Sequence, residues 1–181
     1  MLSLTDIERQ MARLGYKTNL PVTELRNGSV MIGPLMVVLD TDYMDRERVL
    51  LIETLPETDG DAVAMIHFRV VYPSPVGDPD VLPEVLRSML ILNRVLPIGH
   101  NGFCEDTPGL YFAYTLTVPG GAPIPDTVLE ECVGLIDYCS NWHGMLLDQV
   151  ARSEITSAGV LTDLAEREIE PRPLFFREAA A

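Results

Sequence analysis

Between residues 29 and 72 three strand-like segments follow one another with no room for a helix between them. SVMIGPLMVVL (29–39), ERVLLIET (47–54) and AVAMIHFRVVY (62–72) are rich in apolar and β-branched residues, which pack well on a pleated surface. Parallel neighbours need a crossover of about a dozen residues or more, usually a helix. The connections here are shorter, and Asn27-Gly28 and Asp59-Gly60 are turn dipeptides. The spacing therefore predicts an antiparallel meander. In the third segment Ala64, Ile66, Phe68 and Val70 share one face, and Val63, Met65, His67, Arg69 and Val71 the other. Gly33-Pro34 inside the first segment predicts a bulge or an edge strand, since proline cannot donate to a ladder.

Helical spacing surrounds this block. Leu4, Ile7, Met11 and Leu14 form one stripe over residues 3–14, Thr5 and Glu8 fit a capping box, and Gly15 suits a left-handed helix end. A second helix is predicted from Val81 to Asn93, capped by Asp80. Its apolar positions cover more than half its girth, so it needs cover on more than one side. The stretch LILNRVLPIGHNGF (90–103) then reads as punctuation: Asn93 ends the helix in a left-handed turn and Pro97 stops continuation. Gly99 and Gly102 allow bends or close backbone approach, and His100 is an exposed or half-exposed strand residue without a partner. Residues 97–105 and 109–118 predict a hairpin, the second arm alternating Leu110, Phe112, Tyr114, Leu116 and Val118 on one face. Asp126 is expected to cap a long third helix to about Ala151. Leu129, Val133, Ile136, Cys139, His143, Leu146 and Val150 make its main stripe, and Val128, Leu135, Trp142 and Met145 a second. The expected fold is α+β: an antiparallel sheet of about five strands with flanking helices, in the order α-β-β-β-α-β-β-α. It occupies residues 1–152, followed by a C-terminal extension, 153–181, of a short helix and an apolar PRPLFF tail.

Charge narrows the function. The 181 residues carry a net charge of -14, which disfavours nucleic acid and anionic membrane surfaces. No apolar run reaches the ~18 residues of a membrane span, and the N-terminal stretch has no secretion-signal pattern. Three cysteines, Cys104, Cys132 and Cys139, without CxxC spacing, point to a reduced cytoplasmic compartment.

Motifs that invite chemistry dissolve on inspection. The strand ending VVLDTDYM (37–44) is similar to the start of haloacid dehalogenase phosphotransferases. That chemistry wants a downstream cation, and the one lysine, Lys17, lies upstream. Asp40, Asp42 and Asp45 fail the EF-hand pattern, because Met44 and Asp45 stand where an oxygen ligand and a glycine belong. Cys139 and His143 are four apart on one helix face, but Cys132 is ~10 Å along the axis from Cys139, and all three lie on an apolar stripe. They read as core. No GxSxG, GxGxxG or GxxxxGK[ST] is present, and no serine or cysteine is tied by spacing to a histidine and an acid. Neither catalytic residues, nor a cofactor, nor a metal is expected.

The order of elements, with Leu92-Asn93 closing a helix before LPIGHNGFCEDTPGLYFAYTLTVP and a Trp-bearing long helix, resembles the class I type III secretion chaperones and the related YbjN-type proteins over residues 3–151. The resemblance implies a small, acidic, bacterial homodimer that handles polypeptide. Three functions follow as expectations. The first is a chaperone-like or adaptor protein binding another polypeptide; the second is a regulatory or assembly protein acting on a folded partner. The third is a small-ligand binder or enzyme with a pocket the motifs do not reveal. Surplus apolar surface on the second and third helices, at Val85, Met89, Leu135 and Trp142, is the expected dimer interface. Leu174, Phe175 and Phe176 are expected to dock on an apolar groove, as a strap or as a competitor for a client.

Overall fold

The computed structural model describes residues 3–24, 29–55, 63–74, 76–107, 109–120 and 122–170. Along the chain run α1 (Leu4–Arg13), β1 (Thr18–Asn19), β2 (Val22–Glu24), β3 (Val30–Ile32), β4 (Leu35–Val38), β5 (Val49–Thr54), β6 (Val63–Val71), α2 (Leu82–Asn93), β7 (His100–Cys104), β8 (Gly109–Pro119), α3 (Asp126–Ala151) and α4 (Ser157–Glu166). The class is α+β. Six antiparallel strands form one sheet in the order β1-β4-β5-β6-β8-β7, and β2 and β3 pair separately. The two turn dipeptides Asn27-Gly28 and Asp59-Gly60 lie outside the described residues, as do Leu174, Phe175 and Phe176.

The meander β4-β5-β6 pairs as the short connections require. The segment 29–39 is not one strand but two, β3 and β4, in different sheets. Pro34 cannot donate, and the Gly33 N–H turns to the Pro21 carbonyl at 2.9 Å. Partner numbers slip by one between Asn19↔Met36 and Val22↔Ile32, so a bulge divides a long hairpin into an inner half, which joins the main sheet, and an outer ribbon. β1 and β2, two and three residues long, were too short to show a period.

Helices cover one sheet face. Leu35, Val37, Leu50, Ile52, Ile66, Phe68, Leu110 and Phe112 point there and are wholly buried, in one cluster with Ile7, Met11, Val85, Leu92 and the main stripe of α3. Each of those large side chains contributes about 1.5–3 kcal/mol by leaving water. Val160 and Leu164 of α4 join the same cluster, so the segment after residue 152 adds to the core. On the opposite face Val38, Val63, Met65 and Val71 stay exposed.

The helix ends correct three expected caps. Ser3, not Thr5, caps α1, its hydroxyl accepting from the Asp6 N–H at 3.2 Å. Val81 and Pro125 stand at the starts of α2 and α3 without a capping side chain. Asp80 donates its backbone N–H to Asp78, and Asp126 is already helical, its carboxylate taken by Gln10. Gly15 closes α1 as expected, with φ 92° and the Tyr16 N–H reaching back to the Met11 carbonyl. Asn93 does end α2, but the following Arg94 stays right-handed, so no left-handed turn is involved. Its work lies elsewhere.

Candidate functional site

Helix α3, 26 residues long, lies across the sheet and meets it at three polar junctions. The first is built from LILNRVLPIGHNGF. Gly99, at φ 67°, and Gly102 let β7 close on β8, where an added Cβ would stand 2.5 Å from the Ala113 carbonyl and 2.3 Å from the Tyr111 ring respectively. This seats Asn101 beneath α3. Asn93 Oδ1 accepts from the Asn101 backbone N–H (2.6 Å) and from Asn101 Nδ2 (2.9 Å), and Asn93 Nδ2 donates to the Asn101 backbone carbonyl (3.0 Å). Tyr72 donates its hydroxyl to Asn101 Oδ1 at 2.7 Å, and Asn101 Nδ2 lies 3.0 Å from His143 Nδ1. An amide nitrogen only donates, so His143 Nδ1 accepts and its proton sits on Nε2. Burial pushes the His143 pKa down to about 4, which keeps the ring neutral. His100 itself is exposed, its ring edge-on to Tyr111.

The second junction pins the acidic loop after β4. Asp42 accepts from the Met44 and Arg46 N–H groups (2.8 and 3.0 Å) and from Arg46 Nε (2.7 Å), so it organises a tight turn. Asp148, 2% exposed, accepts from the Tyr43 and Ser74 hydroxyls and from Arg46 Nη2 at 3.1 Å, with Arg152 at 3.7 Å. Burial pushes the Asp148 carboxyl up, but the hydrogen bonds from Ser74 and Tyr43 and the Arg46 guanidinium outweigh it and hold it below the usual range. Burial, then Asp148, pushes the Tyr43 phenol up to about 12. At the third junction buried Arg48 donates to the Asp137 carboxylate and, at 3.3 Å, to its carbonyl, while Arg48 Nε and Nη1 have no partner among the described residues. Burial raises the Asp137 pKa, partly offset by Arg48.

These pins hold α3 beside the loop but do not fill the space between them. Two clefts of about 410 and 450 Å³ share Asp137 and run end to end along the helix. One wall is the α3 row Val133, Gly134, Asp137, Tyr138, Trp142 and Met145, a stripe about 18 Å long at 1.5 Å per residue. The facing wall is Tyr16 and Lys17 at one end, then Leu39 and Asp40, then Asp42 and Tyr43. Arg167 of the α4 cap closes the far end, its guanidinium 5.0 Å over the Trp142 ring. Trp142 Nε1 donates to Asp163 at 3.2 Å. Tyr138 stands 61% exposed, 6.4 Å from Trp142. Among the described residues nothing lies within 4 Å of where a Gly134 Cβ would be. A glycine inside a helix costs about 1 kcal/mol relative to alanine, and no packing among the described residues requires this one.

Of the residues named from sequence, Trp142 lies in this groove. Val85 is wholly buried inside a single chain, so it is core and offers no surface to a partner. Met89 packs part-buried on the core, and Leu135 is half-buried on α3. Cys139 and His143 are buried in the core cluster or its polar junction, and Cys132 is half-buried. Among the described residues no three His, Cys, Asp or Glu side chains converge as a metal site would need, and no helix is long and apolar enough to cross a membrane. The groove residues Tyr16, Asp137 and Tyr138 escaped sequence reading, and Asp40 and Tyr43 entered it only through the VVLDTDYM string. The legible signal was Tyr138, four before Trp142 and off both apolar stripes. No protein-family model matches this chain, and no curated protein matches it.

Proposed function

We propose that the protein is a non-catalytic binder of polypeptide, chaperone-like or adaptor in character, that takes an extended segment into the groove along α3. The observation that carries this reading is the groove's build: two clefts that meet at Asp137, with aromatic and methionine side chains and one bare helical glycine in their wall. At about 3.3 Å per residue the slot accepts some five residues of extended chain. Tyr138, Trp142 and Tyr43 offer flat apolar faces with polar rims, suited to apolar anchors. Gly134 lets a peptide backbone approach the helix closely. Asp40, exposed in the wall, favours a basic residue in the middle. The polypeptide-handling role implied by the resemblance to type III secretion chaperones fits this reading, which does not rest on it.

Trp142 is the one tryptophan in the chain and lines the groove, so its fluorescence reports occupancy. A panel of synthetic peptides pairing aromatic or aliphatic anchors with Arg or Lys is expected to shift that emission with micromolar affinity. Tyr138→Ala should weaken binding about tenfold, the loss of roughly 1.4 kcal/mol. No saturable shift with any peptide, or shifts indifferent to Tyr138, would refute the reading.

A second reading, assembly with a folded partner or a second copy, is favoured by a different surface. Val22, Val30, Met31 and Ile32 on the β2–β3 ribbon are 50–62% exposed, and the open sheet face adds Val63 and Val71. Sedimentation of the intact chain tests it: a concentration-dependent dimer abolished by Met31→Lys supports it, and a monomer at all concentrations opposes it.

A further inference from the structure

The groove is aromatic, with the carboxylate of Asp40 exposed in its wall, and the sequence that follows the described residues has complementary chemistry. The described residues end at Glu170, three residues after Arg167, which lines the Trp142 end of the groove. The sequence continues Pro171-Arg172-Pro173-Leu174-Phe175-Phe176-Arg177. In a chain of net charge -14 this stretch has two arginines, three large apolar side chains and no acid. Asp40, exposed and without an ion-pair partner among the described residues, supplies the opposite charge in the slot, where Asp137 is already paired with buried Arg48. Prolines at positions 171 and 173 favour extended backbone, the form a narrow slot admits. Residues 168–170 fold back on α4, with the Ile169 N–H on the Leu164 carbonyl at 2.9 Å. From Glu170, Leu174 is four residues on and Arg177 seven, reaches of up to about 14 and 25 Å, against a groove ~18 Å long.

We propose that the segment 171–177 of this chain enters its own α3 groove, seating about five of its residues there, and competes with client peptides. This rests on the groove being a peptide site, and it adds the regulation of that site. Tethering supplies an effective concentration on the order of millimolar, so a tail affinity of only about 0.1 mM leaves the groove about nine-tenths filled and lowers apparent client affinity about tenfold. A client must outbind the tail, so weak, non-specific segments are rejected.

The test uses the full chain and two variants, Leu174→Ser/Phe175→Ser/Phe176→Ser and Arg172→Glu/Arg177→Glu. The first removes the apolar anchors and the second reverses the charge while keeping them, so a folding defect in one does not remove the test. Acrylamide quenching of Trp142 is expected to rise in both. A synthetic peptide of residues 171–177 should bind both variants about tenfold more tightly than the unmodified chain, reflecting the freed fraction of groove. Adding Tyr138→Ala to either variant should abolish that gain. Equal quenching and equal peptide affinity in all three proteins, with panel peptides still bound, would overturn the tail assignment and leave the groove reading standing. Absence of binding by the panel and by the tail peptide would overturn both. Quenching of the unmodified chain that rises on dilution would place the tail of a second copy in the groove, and so overturn occupancy by the chain's own segment.

Discussion

The two sides of α3 are built on opposite plans. Toward the sheet, His143 enters a junction where both Asn101 amide hydrogens, both Asn93 amide groups and the Tyr72 hydroxyl are used. Away from it, Tyr138 stands mostly in water and Gly134 faces empty space. A satisfied buried polar network fixes register and is costly to break. An aromatic slot left open costs the fold little to change, and its constraint comes from what it binds. The comparison teaches where to look for function: in the parts of the helix that stability does not explain.

Breaking the closed side should have the largest effect. Asn101→Leu orphans Tyr72 and His143 at once, while Asn93 keeps its two bonds to the Asn101 backbone. At about 1–3 kcal/mol for each of the two buried groups the expected loss is about 2–6 kcal/mol. Differential scanning calorimetry should show a Tm lower by ~5–20 °C, at about 2–4 °C per kcal/mol for a chain of this size. The next effect comes through pH. His143 stays neutral in the fold down to about pH 4, whereas an unfolded histidine takes up a proton near 6.5. The unfolded state therefore binds the extra proton, and stability is full above pH 6.5 and falls as pH drops from there toward 4. The loss approaches about 3 kcal/mol, at 1.36 kcal/mol per pH unit. Urea unfolding midpoints measured across that window, with His143→Gln as the flat control, check it.

The open side should answer weakly in stability and strongly in binding. Gly134→Ala is expected to raise stability by up to about 1 kcal/mol, since the added methyl group meets nothing. The same methyl group narrows the slot and should weaken peptide binding. In the Leu174→Ser/Phe175→Ser/Phe176→Ser variant, where no tail fills the groove, Tyr138→Ala should move the midpoint by less than about 0.5 kcal/mol, as expected for an exposed site. A large destabilisation by either change would erase the distinction between the two sides.

Sequence pattern carried the long elements, because they are long enough to display a period. The nine-residue β6, the eleven-residue β8 and α3 with its buried stripe all read correctly. β1 and β2 were illegible for want of residues, and the division of 29–39 required knowing that Pro21 stood opposite Gly33. Caps misread where two candidates competed within a few residues, as Ser3 and Thr5 did. Asn93 was legible as a helix end but not as a clamp, since its partner Asn101 is a residue of the following strand and His143 is fifty residues on. The groove was hidden for the same reason: its walls come from α3, the loop after β4 and the end of α1, brought together only by the buried pins Asp148 and Arg48.

Amide chemical-shift mapping of the full chain with a saturating basic–aromatic peptide locates the binding surface residue by residue. Perturbations are expected to concentrate at residues 133–145 and 38–43. Shifts confined to the β2–β3 ribbon or the open sheet face, with α3 undisturbed, would contradict the groove reading.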